Sequence, residues 1–195
     1  METKITDFTD IINGYAFRGA IETIKNGDIF VLQAKDIVQG QNIENTEKLT
    51  PIAFNGTHTA SFLQNNDVVI VSRGTGVGSF RSVVFIGNNT NIIASASLLI
   101  LRVKKKEVLS EYISLYLNSL DGQNKILQTV VGSYIQAISR KKFEEEIIIP
   151  IPSLKKQQSL INLHQNIKQQ EQIYKQRKEL KQQIIGAIIN NLTHQ

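Results

Sequence analysis

Up to Pro152 the apolar residues of this chain come in short runs separated by Gly- and Asn-containing breaks; beyond it they recur singly at intervals of three to seven positions, to the end. The first pattern predicts short strands and the second a long amphipathic helix. Asp28 to Ala34, Asp67 to Ser72, Ser82 to Ile86 and Ser97 to Val103 are the β-rich runs, bounded by Asn26-Gly27, Asn65-Asn66, Gly74 to Gly78 and Gly87-Asn88-Asn89.

Two stretches before Pro152 read as helical instead. In Lys4 to Ile12 the residues Ile5, Phe8, Ile11 and Ile12 share one side, and in Val108 to Leu120 so do Ile113, Tyr116, Leu117 and Leu120. A short helix is expected from Arg140 to Glu146, with Ser139 as its N-cap. Strands and helices do not alternate regularly, so the expected class is α+β: a small irregular β-sheet with short helices, then one long C-terminal helix.

The switch between the two patterns falls at Ile147-Ile148-Ile149-Pro150-Ile151-Pro152. Proline has no N–H for a sheet ladder and biases its predecessor toward extended backbone, so this run should be a last or edge strand. Past it, Ser153 is a candidate N-cap, and Leu160, Leu163, Ile167, Ile173, Leu180, Ile184, Ile188 and Leu192 form one apolar stripe. Two domains are therefore expected, 1–152 and 153–195.

Charge divides at the same place. The chain carries +5 overall, and the segment from Leu154 carries seven bases against two acids, so the preceding residues hold equal numbers of each. A basic chain suggests a nucleic-acid footprint; here the excess lies on the helix, where it also reads as an ordinary solvated face. Contacts to DNA made by the body must come from local clusters.

At 195 residues with 41% hydrophobic residues, the chain suffices for one ordinary core. It has no cysteine, which excludes disulfides and thiolate metal sites. No run approaches the ~20 apolar residues of a membrane span. Met1-Glu2-Thr3-Lys4 is not a secretory start, so a cytoplasmic protein without membrane contact is expected.

Catalytic signatures are scarce. A DNA amino-methyltransferase motif needs adjacent prolines, and the chain has only Pro51, Pro150 and Pro152. A metal-dependent nuclease needs clustered carboxylates with a lysine, whereas Glu179-Leu180-Lys181 sits alone on the tail helix. His58, His164 and His194 are too scattered for a zinc site. No catalytic residue, metal or cofactor is assigned. Gly74-Thr75-Gly76-Val77-Gly78 follows a strand, as phosphate loops do, but lacks the Gly-Lys-Ser/Thr ending and leads into another β-rich run. It is either a structural turn needing positive φ or a glycine turn that brings Arg73 and Arg81 to phosphates or base edges.

Several of these segments, in this order, resemble the DNA-specificity (S) subunit of type I restriction-modification systems. Ile11 to Phe17 with Arg18 is similar to the opening G-x-x-F-K/R of that family, and Lys35 to Ile43 to its x-D-I-x-x-G-x-I. Asp67 to Gly74 is similar to G-D-I-L-x-x-x-x-G, with Asn66 in place of the glycine. Gly132 to Ser139 and Ile149 to Gln158 match G-x-x-x-x-x-I-S and I-P-I-P-P-L-x-E-Q-Q, with Ser153 for the third proline and Lys156 for the acid.

The resemblance covers nearly the whole chain and corresponds to half of the usual subunit: one target-recognition domain and one spacer helix. It implies a non-catalytic protein that reads double-stranded DNA and docks methyltransferase (M) subunits, with a restriction (R) subunit where the system has one. S-adenosylmethionine would belong to the partner. With one domain and one helix, a homodimer joined by a coiled coil and reading an interrupted palindrome is the economical expectation. The alternatives are a half-subunit that modulates a full-length S subunit, and a stand-alone DNA-modifying enzyme. Candidate DNA contacts are Arg18, Gln33, Lys35, Arg73, Thr75 and Arg81 toward bases, and Ser133, Tyr134, Arg140, Lys141 and Lys142 toward phosphates. Lys104-Lys105-Lys106 is a solvated loop with phosphate contact as its alternative. The partner-helix positions are Leu160, Leu163, Ile167, Ile173, Leu180, Ile184 and Ile188.

Overall fold

The computed structural model describes residues 2–54, 56, 59–76, 78–88 and 91–193; His58 and His194, and the turn residues Val77 and Asn89, lie outside it. The chain divides into two units, Met1–Gln157 and Gln158–Gln195. The class is α+β.

The first unit is built on an antiparallel sheet of β2 (Thr9–Asn13), β9 (Leu98–Val103), β5 (Val68–Val71) and β7 (Ser82–Val84), in that spatial order. Beside it lie β4 (Thr50–Ile52), β3 (Ile29–Leu32) and β8 (Ile92–Ala94), with β3 and β8 parallel. All four residues of β5 are buried. Alternation sends Val69 and Val71 to a core with Leu32, Phe85, Ile92, Leu98 and Ile100, and Val68 and Ile70 to the opposite face, where helix α1 (Ser110–Leu117) packs. That double cover is why Val-Val-Ile-Val shows no polar alternation.

The helix expected over Val108 to Leu120 is shorter, and Leu120, expected on its apolar side, is exposed at the start of a second helix. α1 stops at Leu117, and α2 (Leu120–Gln128) starts anew, with Ser119 Oγ accepting from Gly122 N at 3.2 Å. The break has a use. Asn118 turns its amide to the outer edge of β7, accepting from Ser82 N at 2.9 Å and donating to Ser82 O at 2.8 Å. One side chain thus partners both main-chain groups of Ser82, while Ile43 N reaches Val84 O further along the same edge at 2.9 Å.

Lys4 to Ile12 is not helical. It forms β1 (Glu2–Lys4), a 3₁₀ turn at Ile5–Asp7, and β2. Ile5 and Phe8 are fully buried from the turn, while Thr9 and Ile11 face inward by strand alternation. Both periods place Ile5, Phe8 and Ile11 inside, Ile12 is only half-buried, and the pairing of β2 with β9 decides between them.

The remaining elements of this unit are β6 (Arg73–Gly74), β10 (Val130–Val131), β11 (Gln136–Ile138), α3 (Arg140–Glu146) and β12 (Ile148–Pro150). α3 begins after Ser139 as expected, though no side-chain cap bond forms there; Phe143 N reaches Ser139 O at 2.9 Å. The proline run does form a strand, and its ladder partner is β1, with Glu2 opposite Pro150. From the helical side, Tyr112 donates to Pro150 O at 2.5 Å and Lys125 Nζ to Ile148 O at 2.9 Å. Lys125 also donates to Tyr116, which in turn donates to Asp121. Burial raises the pKa of both tyrosines; Lys125 is raised chiefly by its bond to Tyr116, and Asp121 is lowered by its own bond to Tyr116.

The long helix α4 (Leu154–Thr193) has 40 residues, about 60 Å at ~1.5 Å each. Its first turn, through Gln157, belongs to the first unit. In the second unit the expected stripe is on the surface: Leu160, Leu163, Ile167, Ile173, Leu180, Ile184 and Ile188 are all exposed, as are Tyr174, Ile185 and Ile189.

Candidate nucleic-acid interface

Strand direction gathers most of the candidate residues at one end of the sheets. β2 and β5 run the same way, and β7 and β9 run against them. The exits of β2 and β5 and the entries to β7 and β9 therefore share one edge. Gly14 N bonds Leu98 O and Ser72 N bonds Ser97 O there. β3 ends at the same place, since Ser95 N donates to Leu32 O and Ser95 bridges Tyr15.

This end carries Arg18 after β2, Gln33 and Lys35 after β3, Arg73 and Thr75 after β5, and Arg81 before β7. Arg18, Lys35, Arg73 and Thr75 are exposed. Gln33 and Arg81 are half-buried and already engaged. Gln33 Nε2 donates to Thr50 Oγ1 at 3.1 Å, and Gln33 forms a capping box with Asp36 around the 3₁₀ turn Ala34–Asp36. Arg81 Nε donates to Ile37 O at 3.2 Å and Nη2 to Ala34 O at 3.5 Å, tying that turn to the entry of β7. These two hold the loop bearing Lys35 while Lys35 itself stays open.

The sheet β10-β11-β6 joins two segments that local patterns leave separate. Gln136 stands opposite Gly74 and Ala137 opposite Arg73, while Ile138 N bonds Ser72 O at 2.9 Å. Because β6 and β11 are antiparallel, the glycine turn leaving β6 and the tip entering β11 lie side by side. A Cβ on Gly74 would come within 2.1 Å of Ser79 Cβ, so only glycine lets the turn fold back so closely. The turn is fastened by Ser79 N to Gly76 O at 3.1 Å and Thr75 N to Ser79 Oγ at 3.2 Å. At the tip Gly132 has φ of 98°, and Ser133, Tyr134 and Ile135 follow, all exposed.

The glycine turn and the tip come from segments of one charge sign, while Asp36 lies in the turn after β3. Residues 68–82 and 122–143 contain no acid, although acids and bases balance over the body as a whole. That leaves Arg73 to present its guanidinium without a competing carboxylate from either segment.

Other candidates lie elsewhere. Arg140 is paired to Glu144 at 2.6 Å on α3, with Lys141 and Lys142 exposed beside it. α3 leads away to Ile147, whose carbonyl accepts from Ile5. Lys104-Lys105-Lys106 follows β9 at the opposite end of the sheet, and Lys104 pairs with Asp10 at 2.8 Å. His164 and Glu179 to Lys181 stand on α4, and among the described residues no cluster of three metal-ligating side chains occurs. Nor is any described helix long and apolar enough to cross a membrane.

Sequence reasoning missed Asn118 and Gln157, whose amides fix the framework, and Ile135 at the tip. Only Gln157 carried a signal, as the first glutamine of the Gln157-Gln158 pair after the prolines.

The described residues thus present loops gathered at one sheet end and a long helix with an exposed apolar stripe. The chain belongs to the family of the type I restriction modification DNA specificity domain, whose sequence model matches residues 1–193. Among solved structures, it is similar to the type I restriction-modification S subunit from M. genitalium (14% identity, TM-score 0.55, covering 84% of this chain and 37% of that one). It is likewise similar to the HsdS subunit from Thermoanaerobacter tengcongensis (17%, 0.58, 87% and 37%). A third similar chain comes from a study of complex assembly and conformational transition of the type I R-M system (19%, 0.61, 87% and 38%). The chain thus spans little more than a third of the length of the solved chains it matches. No curated protein sequence gives a significant match.

Proposed function

We propose that this chain is a non-catalytic DNA-recognition subunit that works as a symmetric pair. Two copies joined through their long helices read a bipartite, two-fold target and recruit methyltransferase subunits, which supply S-adenosylmethionine and the methyl transfer. A restriction subunit would join the same assembly.

The observation that carries the paired form is the self-complementary spacing of the exposed stripe. About a two-fold axis between Lys175 and Gln176, an antiparallel second copy sets Leu163 against Ile188 and Ile167 against Ile184, while Ile173 and Leu180 lie two positions out of that register, beside the seam. On the flank, Glu171 meets Lys178 of opposite sign. A parallel, in-register pair would instead stack Arg177 on Arg177 and Lys181 on Lys181, and like charges at a seam oppose pairing. Side chains exposed to this extent along a helix with one apolar stripe call for a cover. The helix length sets about 60 Å as an upper scale for half-site separation, and overlap of the two helices shortens it.

Two substitutions separate reading from assembly. Ile184→Asp should convert the dimer to a monomer by light scattering while leaving the body's melting unchanged. Arg73→Ala should keep the dimer and the methyltransferase complex but weaken DNA binding about tenfold, the loss of one charge-assisted contact of ~1–3 kcal/mol. A wild-type chain that is monomeric and does not co-purify with a co-expressed methyltransferase overturns this reading, as does methyl transfer by the purified chain alone.

A further inference from the structure

The 132–135 tip presents chemistry that phosphate contact does not use. Tyr134 is 86% exposed and Ile135 63% exposed, adjacent to one another at the end of a two-stranded turn. Large apolar side chains this exposed are unusual on a stable surface unless something covers them. Around them stand Val131, half-exposed at the base of the tip, Gly132 and Ser133 within it, Thr75 beside it, and Arg73 on the adjoining strand.

A protein partner of ordinary interface size would need a continuous apolar centre spread over many residues. Two side chains on a narrow projection are the wrong shape for that. They are sufficient for a wedge at a base step, where one or two apolar groups part neighbouring bases and a ring stacks on the exposed face. The acid-free segments around the tip and the open Arg73 guanidinium supply the attraction to the backbone that such an insertion requires.

We propose that Tyr134 and Ile135 are a wedge that enters the base stack of the target half-site, Tyr134 stacking on a base and Ile135 filling the opened step. This rests on the DNA-recognition reading above and adds a mode of reading to it. Arg73 and the glycine turn address groove edges and phosphates, while the tip tests how readily one base step opens. Steps that unstack easily, pyrimidine followed by purine, are favoured there without any hydrogen bond to their edges.

Gly132 makes the projection possible. Its φ of 98° turns the chain outward, and a Cβ there would lie 2.5 Å from Ile135 O. The ladder pairs Val130 with Ile138 and Val131 with Ala137, then Gln136 with Gly74, bracing the base of the tip from both sides.

The test uses the full chain and a duplex that it selects from a random-sequence pool, with 2-aminopurine placed at each position in turn. Wild type should raise the fluorescence at one step per half-site. Tyr134→Ala should abolish that rise and weaken binding about tenfold or more, from the ~1–3 kcal/mol of one stacked base; Tyr134→Phe should restore both. If the wild-type chain selects no sequence, the DNA-recognition reading itself fails. If it selects one but no step brightens, or Tyr134→Ala binds as wild type, only the wedge is overturned. Loss of methyltransferase co-purification in Tyr134→Ala with DNA affinity intact would assign the tip to the protein partner and overturn it equally.

Discussion

Gln157, in the first turn of the long helix, accepts the main-chain N–H of Leu109 through Oε1 at 2.9 Å, and Leu109 is the N-cap of α1. Its Nε2 donates to Glu107 O and Pro152 O, each at 2.8 Å. One fully buried amide therefore serves three backbone groups from two parts of the chain. Gln157→Ala would leave them unpartnered, at ~1–3 kcal/mol for each group left without water. A drop in melting temperature of several degrees is expected, with Gln157→Glu failing to rescue because a carboxylate cannot donate to the two carbonyls.

Asp67 is buried and bidentate with Arg102, receiving Nε at 2.9 Å and Nη2 at 2.8 Å, and it also accepts from Gln64 N at 2.8 Å. Arg102 Nη2 reaches on to Phe62 O at 3.0 Å. Asp67→Ala would leave a part-buried guanidinium uncompensated and cost about 3–5 kcal/mol. Chemical denaturation should show this as a shifted midpoint. Replacing both partners should cost less than removing Asp67 alone, and a double-mutant cycle measures the difference.

β12 is held from the helical side by two titratable donors, Tyr112 on Pro150 and Lys125 on Ile148. Both have folded pKa values raised above their ordinary values of 10.0 and 10.5, so this stabilisation is present below those values and is lost as pH rises through the raised ones. Asp121, lowered from 3.8, adds a contribution that disappears only as pH falls through its depressed value. Stability from this cluster should be flat through neutrality and decline above about pH 10. Tyr112→Phe should lower the plateau and flatten the alkaline limb; an unchanged limb in that variant would refute the assignment.

Gly132→Ala places a side chain at positive φ and against Ile135 O. The cost is about 1–3 kcal/mol, confined to a surface tip. Amide exchange should therefore accelerate around residues 130–138 while global melting moves little. Binding to the selected duplex should fall as it does in Tyr134→Ala.

Local pattern revealed the buried runs, because Val68 to Val71 and Leu98 to Val103 are apolar whatever their partners. It also found the proline boundary, where the chemistry of Pro150 and Pro152 is unambiguous. It misread Lys4 to Ile12, since Ile5, Phe8 and Ile11 satisfy a helical face and a turn followed by a strand equally well. The pairing of Gln136 with Gly74 was out of reach, for it joins segments some sixty positions apart and depends on which way β5 leaves the sheet. Side chains with framework tasks, Asn118, Gln157 and Arg81, look in sequence like any exposed polar residue; only their carbonyl and amide partners distinguish them.

The pairing of Glu2 with Pro150 means that the chain enters and leaves the recognition body at one spot. A body with neighbouring entry and exit points behaves as a cassette: it can be lifted out and replaced by one with different loops, without altering the path of what comes after. Exchange of residues 2–150 as one block should then replace the loops at the sheet end while leaving the sequence of the long helix untouched.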